Sequence, residues 1–314
     1  MKIWATNGWN KLNSCILGDV YAPEYFDHLA NGKVKDVMKR VLQETKEDLE
    51  HIESTLKTFD ISVYRPTVDN NFDGQYHTPP LQPRDIHLVF EDTLFYTGDR
   101  NNYDHIHKNI NNVVKPFDDV FEDCPSVTLL DDSVILDGLD PIAYNYFKNY
   151  FVDKKVKVHT LFNEGHSDGI YQPLGPGVWM SHGPVFRNKT QFADWHTIHV
   201  EENDWTQYHD FIDFKNKAKS KWAIPGQEFT DEMINFVDTY IENWVGYCEE
   251  TIFDLGYVMM SPTDALVISK SQKYEDTMRS YGVTPHHVPW RHRTFWDCGL
   301  HCIIADLERE KFDT

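Results

Sequence analysis

Residues 295–310 read FWDCGLHCIIADLERE, and the nature of this stretch decides what the chain folds into and what it does. Cys298 and Cys302 stand four apart, with Gly299 between them and His301 beside the second. Three readings compete: half of a metal site, the turn that presents a nucleophile, or a buried strand rich in sulfur. For a metal, His286, His287, His292 and His301 are close in sequence, and zinc accepts both imidazole and thiolate. But no second cysteine pair of the usual spacing exists, and the proline-bearing PHHVPW (285–290) is no metal-binding helix, so no metal is expected. In the strand reading, Cys302 belongs to the apolar run HCIIADL (301–307) as a small hydrophobe. In the nucleophile reading, Asp297-Cys298-Gly299 makes a turn that feeds a strand, where a side chain can face a cleft. A reactive thiolate needs a base or a positive group beside it. On a strand His301 would point away from Cys302, so the activating histidine has to come from elsewhere.

The best source is GHSDGIYQPLGPGVWMS (165–181). Glycines 165, 169, 175 and 177 bracket a His-x-Asp pair. If the segment is extended, His166 and Asp168 project to one face. A carboxylate beside an imidazole raises its pKa and fixes its orientation, as general acid–base catalysis requires. A solvated turn with a structural Asx bond is the plain alternative.

Lys+Arg number 30 and Asp+Glu 50, a net charge of −20. So acidic a surface repels phosphate backbones and anionic lipids, which argues against nucleic-acid and membrane partners, while it tolerates a cationic small molecule. No apolar run approaches the roughly 20 residues of a membrane helix. The start, MKIWATNGWNKLNS, lacks the basic-then-apolar pattern of a secretory signal, and five cysteines make no disulfide framework. A reducing cytoplasm is the expected home. With no Gly/Ser linker or low-complexity tract, residues 1–314 are expected to form a single catalytic domain.

The clearest helix is 34–58, where Val34, Val37, Met38, Val41, Leu42, Leu49, Ile52 and Leu56 recur at helical spacing. ISVYRP (61–66) follows as a strand. The rhythm returns in VILDG (134–138), PIAYNYFKNYF (141–151) and VKVHTLF (156–162), and again in ALVIS (265–269), QKYEDTMRSYG (272–282) and VTPHHVPW (283–290). IHLVF (86–90) and GVWMS (177–181) read as further strands, and 229–245 as a second long helix capped by Thr230. This is an α/β pattern, although the units are not alike in sequence. Neither GxGxxG nor GxxxxGK[ST] occurs, so a nucleotide fold lacks its usual support.

GHSDGIYQPLGPG (165–177) resembles the His-x-Asp segment of the amidinotransferases, relatives of L-arginine:glycine amidinotransferase, and GLHCIIADLERE (299–310) resembles their segment with the nucleophilic cysteine. In the same order along the chain, GWNKLNSCILG (8–18) resembles their N-terminal strand, ISVYRP the strand after their first helix, and QPRDIHLVF (82–90) their Pro-Arg-Asp strand. The resemblance implies a five-fold pseudosymmetric α/β propeller, pentein-like, whose repeated strand–helix units surround a central pocket. It implies an enzyme that passes the amidino group of arginine, or a related guanidine, to an amine such as glycine, without a cofactor. A guanidino hydrolase of the same superfamily and a non-catalytic guanidine-binding protein are the alternatives, and a homodimer is compatible.

By position, the resemblance gives Cys302 as nucleophile, His166 as acid–base, and Asp85 and Asp168 as the carboxylates that grip the guanidinium. Asp123, in VFEDCPSV (120–127), is the candidate to orient His166, with a solvated loop carboxylate as its plain reading. Two departures stand out. Where the family has three glycines before its His-Cys pair, this chain has Asp297, Cys298 and Gly299; and the family's carboxylate-binding arginine aligns with Val185, which makes Arg187 the candidate substitute. Carboxylates around the thiol also disfavour acyl transfer, because they would destabilise an oxyanion.

Overall fold

The structure, a computed structural model, describes residues 1–98, 101–117, 124–161, 167–181, 192, 194–199, 222, 224, 230–245, 255–268 and 271–311. Among these, fifteen strands form five sheets of three. The first sheet joins the two ends of the chain: β15 (Ile304–Arg309) pairs with β1 (Leu12–Leu17), and β1 with β2 (Ser62–Tyr64). The second holds β3 (His87–Phe90), β4 (Thr93–Tyr96) and β5 (Val113–Val114), and the third β6 (Val127–Leu129), β7 (Ser133–Asp137) and β8 (Lys157–Leu161). The fourth holds β9 (Tyr171–Gly175), β10 (Val178–Ser181) and β11 (His196–His199), and the fifth β12 (Val258–Ser261), β13 (Asp264–Val267) and β14 (Thr284–His287).

Every sheet follows one plan. The middle strand is antiparallel to one neighbour and parallel to the strand that follows it in sequence. A parallel pair needs a crossover, which the helices Gly32–Thr58, Pro141–Asp153 and Gln272–Ser280 supply in the first, third and fifth sheets. The repeat that residue identity hides is therefore plain in the pairing. Contacts pass from sheet to sheet and return to the start: β15 meets β3, the turn before β3 meets the turn before β6, and the turn before β9 meets β6. Gln172 and Tyr257 exchange hydrogen bonds between the fourth and fifth sheets, and β12 meets β1.

A strap at the N-terminus ties three sheets together. Trp4, Ala5 and Asn7 form bridges to Glu308, Glu91 and Leu130, and the backbone N–H groups of Glu91 and Asp131 donate to Ala5 and Thr6.

The helix Gly32–Thr58 starts at Asn31, whose side chain accepts from the N–H groups of Lys33 and Val34. Its apolar stripe is buried as the spacing predicts, but the gap in that stripe between Leu42 and Leu49 is filled by two buried polar residues, Thr45 and Asp48. The second long helix is shorter than predicted, Asp231–Tyr240, with Thr230 as its cap. It ends at Ile241, and the turn Glu242–Trp244 carries Trp244 onto Tyr21 and Trp296, where its indole stacks. No helix among the described residues is long and apolar enough to cross a membrane.

Candidate active site

In four of the five sheets, among the described residues, the strand order puts a leading helical turn at the same end. Asp85 lies in the turn Pro83–Ile86, directly before β3. The turn Cys124–Ser126 precedes β6, Ser167–Ile170 precedes β9, and Leu300–Ile303, with Cys302, precedes β15. These turns touch one another in a row: 300–303 against 83–86, 83–86 against 124–126, and 124–126 against 167–170. Residues some two hundred positions apart thus converge because they hold equivalent places in a repeated unit.

Two expectations need correction. Cys302 and His301 do not alternate along a strand; they sit side by side in a helical turn, where neighbours are about 100° apart. His301 is buried and Cys302 half-buried. Residues 167–170 likewise form a helical turn and not an extended segment. The reason is shared: each leading strand is entered through a turn, and helical period replaces strand period there. Asp168 contributes its backbone to this turn. His166, Asp123 and Arg187 lie outside the described residues.

The Cys302 turn is anchored on both sides. Gly18 N–H donates to Ile303 O at 2.9 Å, and His301 N–H to Gly256 O at 2.8 Å. A Cβ on Gly18 would lie 1.8 Å from Leu81 O, so only glycine lets the end of β1 pass between Ile303 and the segment that leads to Asp85. Gln82 Nε2 in turn donates to Trp296 O. Asp85 itself is half-buried.

Before the turn, residues 290–299 are pinned to the long helix through the two polar residues of its buried face. Asp48 accepts from Arg291 N–H and Nε at 2.7 and 2.8 Å, and Thr45 Oγ1 accepts from Trp296 Nε1 at 2.9 Å. Arg291 also reaches Glu47, and His292 reaches Glu44 at 2.6 Å. Asp297 takes φ 48°, a left-handed conformation, at one of the positions where the resembling family has glycine. His286 and His287 bond to Asp264 and Glu275, so these histidines of the stretch are engaged with carboxylates. Cys15, Cys124 and Cys298 are fully buried, which sets Cys302 apart.

At the centre, between the strap and these turns, lies a cavity of 20 Å³ bordered by Arg84, Gln172, His301 and Asp306. It has room for about one water and none for a guanidine. Asp306 accepts from Arg309 Nε at 2.7 Å and lies 3.7 Å from Arg84. Burial alone would raise its carboxyl, but Arg309 and Arg84 outweigh it and hold Asp306 below the usual carboxylate range.

No family model matches the chain, and no curated protein matches its sequence. Solved structures do. SxtG, an amidinotransferase of the saxitoxin biosynthetic pathway from Microseira wollei, superposes with a TM-score of 0.70 at 13% identity, over 99% of this chain and 98% of that one. The inosamine-phosphate amidinotransferase StrB1 of Streptomyces griseus gives 0.68 at 15% identity, over 98% and 97%. The chain has the amidinotransferase fold. Dimethylarginine dimethylaminohydrolase shares it, with a TM-score of 0.62 at 10% identity over 94% of this chain and 100% of that one. Within the amidinotransferase fold, the clamp Asp48–Arg291 and the buried ion pair Arg84–Asp306 escape a motif reading. Their only sequence signals are the polar gap in a helical stripe and charges set in or just before apolar strands.

Proposed function

We propose that the chain transfers the amidino group of arginine, or of a related guanidine, to an amine through a covalent intermediate on Cys302. The observation that supports this best is the meeting of the Cys302 and Asp85 turns at one end of the sheets, in a chain of the amidinotransferase fold. We read the five sheets as the blades of a five-fold pseudosymmetric propeller, with the site at the end where the turns gather.

A guanidinium is planar, cationic and poorly electrophilic. Asp85 and Asp168 hold it by charge-assisted, forked hydrogen bonds and keep it protonated, so its central carbon stays open to attack. The Cys302 thiolate adds to that carbon and gives a tetrahedral adduct. The C–N bond to the donor's amine then breaks; His166 protonates the leaving nitrogen, and the amidino group remains on sulfur. Neutral His166 takes a proton from the incoming amine, whose nitrogen attacks the same carbon. The C–S bond breaks and the thiolate is restored. In this scheme Asp123 orients His166, and Arg187 pairs with the donor's carboxylate. Thiolate, imidazole and carboxylates supply every group the scheme needs. Water in place of the amine would yield a urea, the hydrolase outcome, which the likeness to a dimethylaminohydrolase keeps in view.

The test is to incubate the protein with arginine, with and without glycine or other amines. Amine-dependent ornithine release and an amidino adduct on the Cys302 peptide after acid quenching are expected. Citrulline or ammonia without an amine would establish the hydrolase instead, and arginine binding that survives Cys302→Ala without any wild-type turnover would leave a binding protein. Because Cys302 alone among the described cysteines is not fully buried, iodoacetamide should label it faster than Cys15, Cys124 or Cys298, and arginine should slow the labelling.

A further inference from the structure

Two residues that line the central cavity each carry a buried polar atom that no group among the described residues satisfies: Arg84 Nε and Gln172 Oε1. Arg84 is 9% exposed and Gln172 3%. Three of the other polar side chains on the wall are engaged. Asn7 Oδ1 accepts from the N–H groups of Trp9 and Asn10, while its Nδ2 donates to Asp131. Thr128 Oγ1 pairs with Ser167 Oγ at 2.7 Å, and Asp306 is held by its two arginines. Gln172 cannot turn its amide around to solve the problem. Its Nε2 donates to Tyr257 O at 3.0 Å, and a flip would set oxygen against oxygen.

An unpaired buried donor or acceptor is destabilising, so two of them beside one cavity call for a shared partner. That partner must accept from Arg84 Nε–H, donate to Gln172 Oε1, and fit within 20 Å³. An anion accepts but cannot donate, and Asp306 would repel it; a metal cation donates nothing and would meet a guanidinium. A water satisfies all three conditions.

We propose that one ordered water in this cavity bridges Arg84 Nε and Gln172 Oε1 and so sets the separation between the turns that carry Asp85 and Asp168. Arg84 directly precedes Asp85, and Gln172 lies four residues after Asp168. Arg84 and Gln172 are then positioning residues for the guanidinium. Their positioning role rests on the proposed function, whereas the water itself does not.

The experiment has two arms. A high-resolution crystal structure of the full chain should show a water within hydrogen-bond reach of both atoms. An anion in its place, or direct contact between the two side chains, would overturn the bridge. In the second arm, calorimetry in a Cys302→Ala background should show that Gln172→Met, close in volume but without the acceptor, binds arginine about tenfold more weakly. With Cys302 intact, the same substitution should leave the iodoacetamide rate of Cys302 without arginine unchanged. A lower melting temperature with arginine affinity unaltered would reduce Gln172 to a structural role and refute the positioning. If Gln172→Met does not fold, Arg84→Lys, which keeps a positive charge for Asp306 and lacks Nε, gives the same readout. If the Cys302→Ala parent binds no arginine, the guanidine reading and the positioning built on it fall together, and the crystallographic arm alone decides the water.

Discussion

The two ends of the five sheets are built by different means. At the end away from Cys302, strands are joined by tight turns held by backbone groups. Leu130 N–H donates to Ser133 O, and the strap accepts from Glu91 and Asp131. Left-handed residues make the tight turns here: Glu91 at φ 50°, Asp131 at 72° and Gly177 at 72°. At the Cys302 end, side chains from distant parts of the chain do the holding: Arg291 on Asp48, His292 on Glu44, Trp296 on Thr45, and His87 on His107. One end relies mainly on backbone groups, which many residues can supply, with Thr6 and Asn7 adding side-chain bonds to Asp131. The other depends on particular pairs, so single substitutions there should cost more and should reach the chemistry.

The sharpest test of that contrast separates activity from stability. Cys302→Ala should lower amine-dependent ornithine release by three orders of magnitude or more, since nothing else on the turn can form the covalent intermediate. Its unfolding midpoint in urea should stay close to wild type, because Cys302 is only half-buried. A midpoint that fell sharply, with activity retained, would return Cys302 to the core and break the proposal.

Next in size is the clamp. Arg291→Met takes the guanidinium from the Asp48 carboxylate, with a side chain 2% exposed, and leaves it only the backbone N–H of position 291. Breaking such a pair from one side should cost about 3 kcal/mol, seen as a lower urea midpoint with an unchanged slope. Removing both charges, as Arg291→Met with Asp48→Leu, should recover part of that loss.

The Asp85 side relies on neutral groups instead. His87 Nδ1–H donates to Pro83 O at 2.7 Å, so His87 Nε2 accepts from His107 Nε2–H at 2.9 Å. Burial pushes His87 down to about 3, helped by the facing His107, and burial pushes His107 down to about 4. An unfolded histidine titrates near 6.5. Below that pH the unfolded chain therefore binds protons that the folded chain refuses, and stability falls as pH drops. The loss runs from about 6.5 towards 4 for His107 and towards 3 for His87, at up to roughly 1.4 kcal/mol per pH unit for each. Urea midpoints at pH 6.5 and pH 5 should show this slope, and His107→Gln should flatten it. An equal slope in the variant would show that the pair is not its source.

How much of this was legible follows the same division. The crossover helices, the opening of one by Pro141, the cap of another helix at Thr230, and most strands were readable because local periodicity and turn chemistry set them. Five repeated units came only from the family resemblance and not from periodicity, since the pairing of β1 with β15 joins residues almost three hundred positions apart. Cys302 and Asp85 could be singled out from their motifs. The helical turns that carry them could not, because a four-residue turn before a strand leaves no periodic trace. Asp48 and Thr45 show as a hole in an apolar stripe, but the sequence names no partner for them. Arg84, Gln172 and Asp306 read as ordinary polar residues until the fold brings them to one cavity.

The smallest expected effect tests the tolerant end. The helix Pro141–Asp153 ends with Lys155 at φ 62°; its N–H donates to Val152 O, and Val156 N–H donates to Phe151 O. That arrangement favours glycine at the left-handed position, because a Cβ crowds the backbone there. Lys155 is exposed and lies just before β8, at the end of the sheet away from the turns. Lys155→Gly should therefore raise stability by about 0.5–1 kcal/mol, once the relieved conformation is set against glycine's greater freedom in the unfolded chain. Arginine affinity and the labelling rate of Cys302 should not change. If so small a backbone adjustment altered either, the two ends would be mechanically coupled, and the division drawn between them would have to be abandoned.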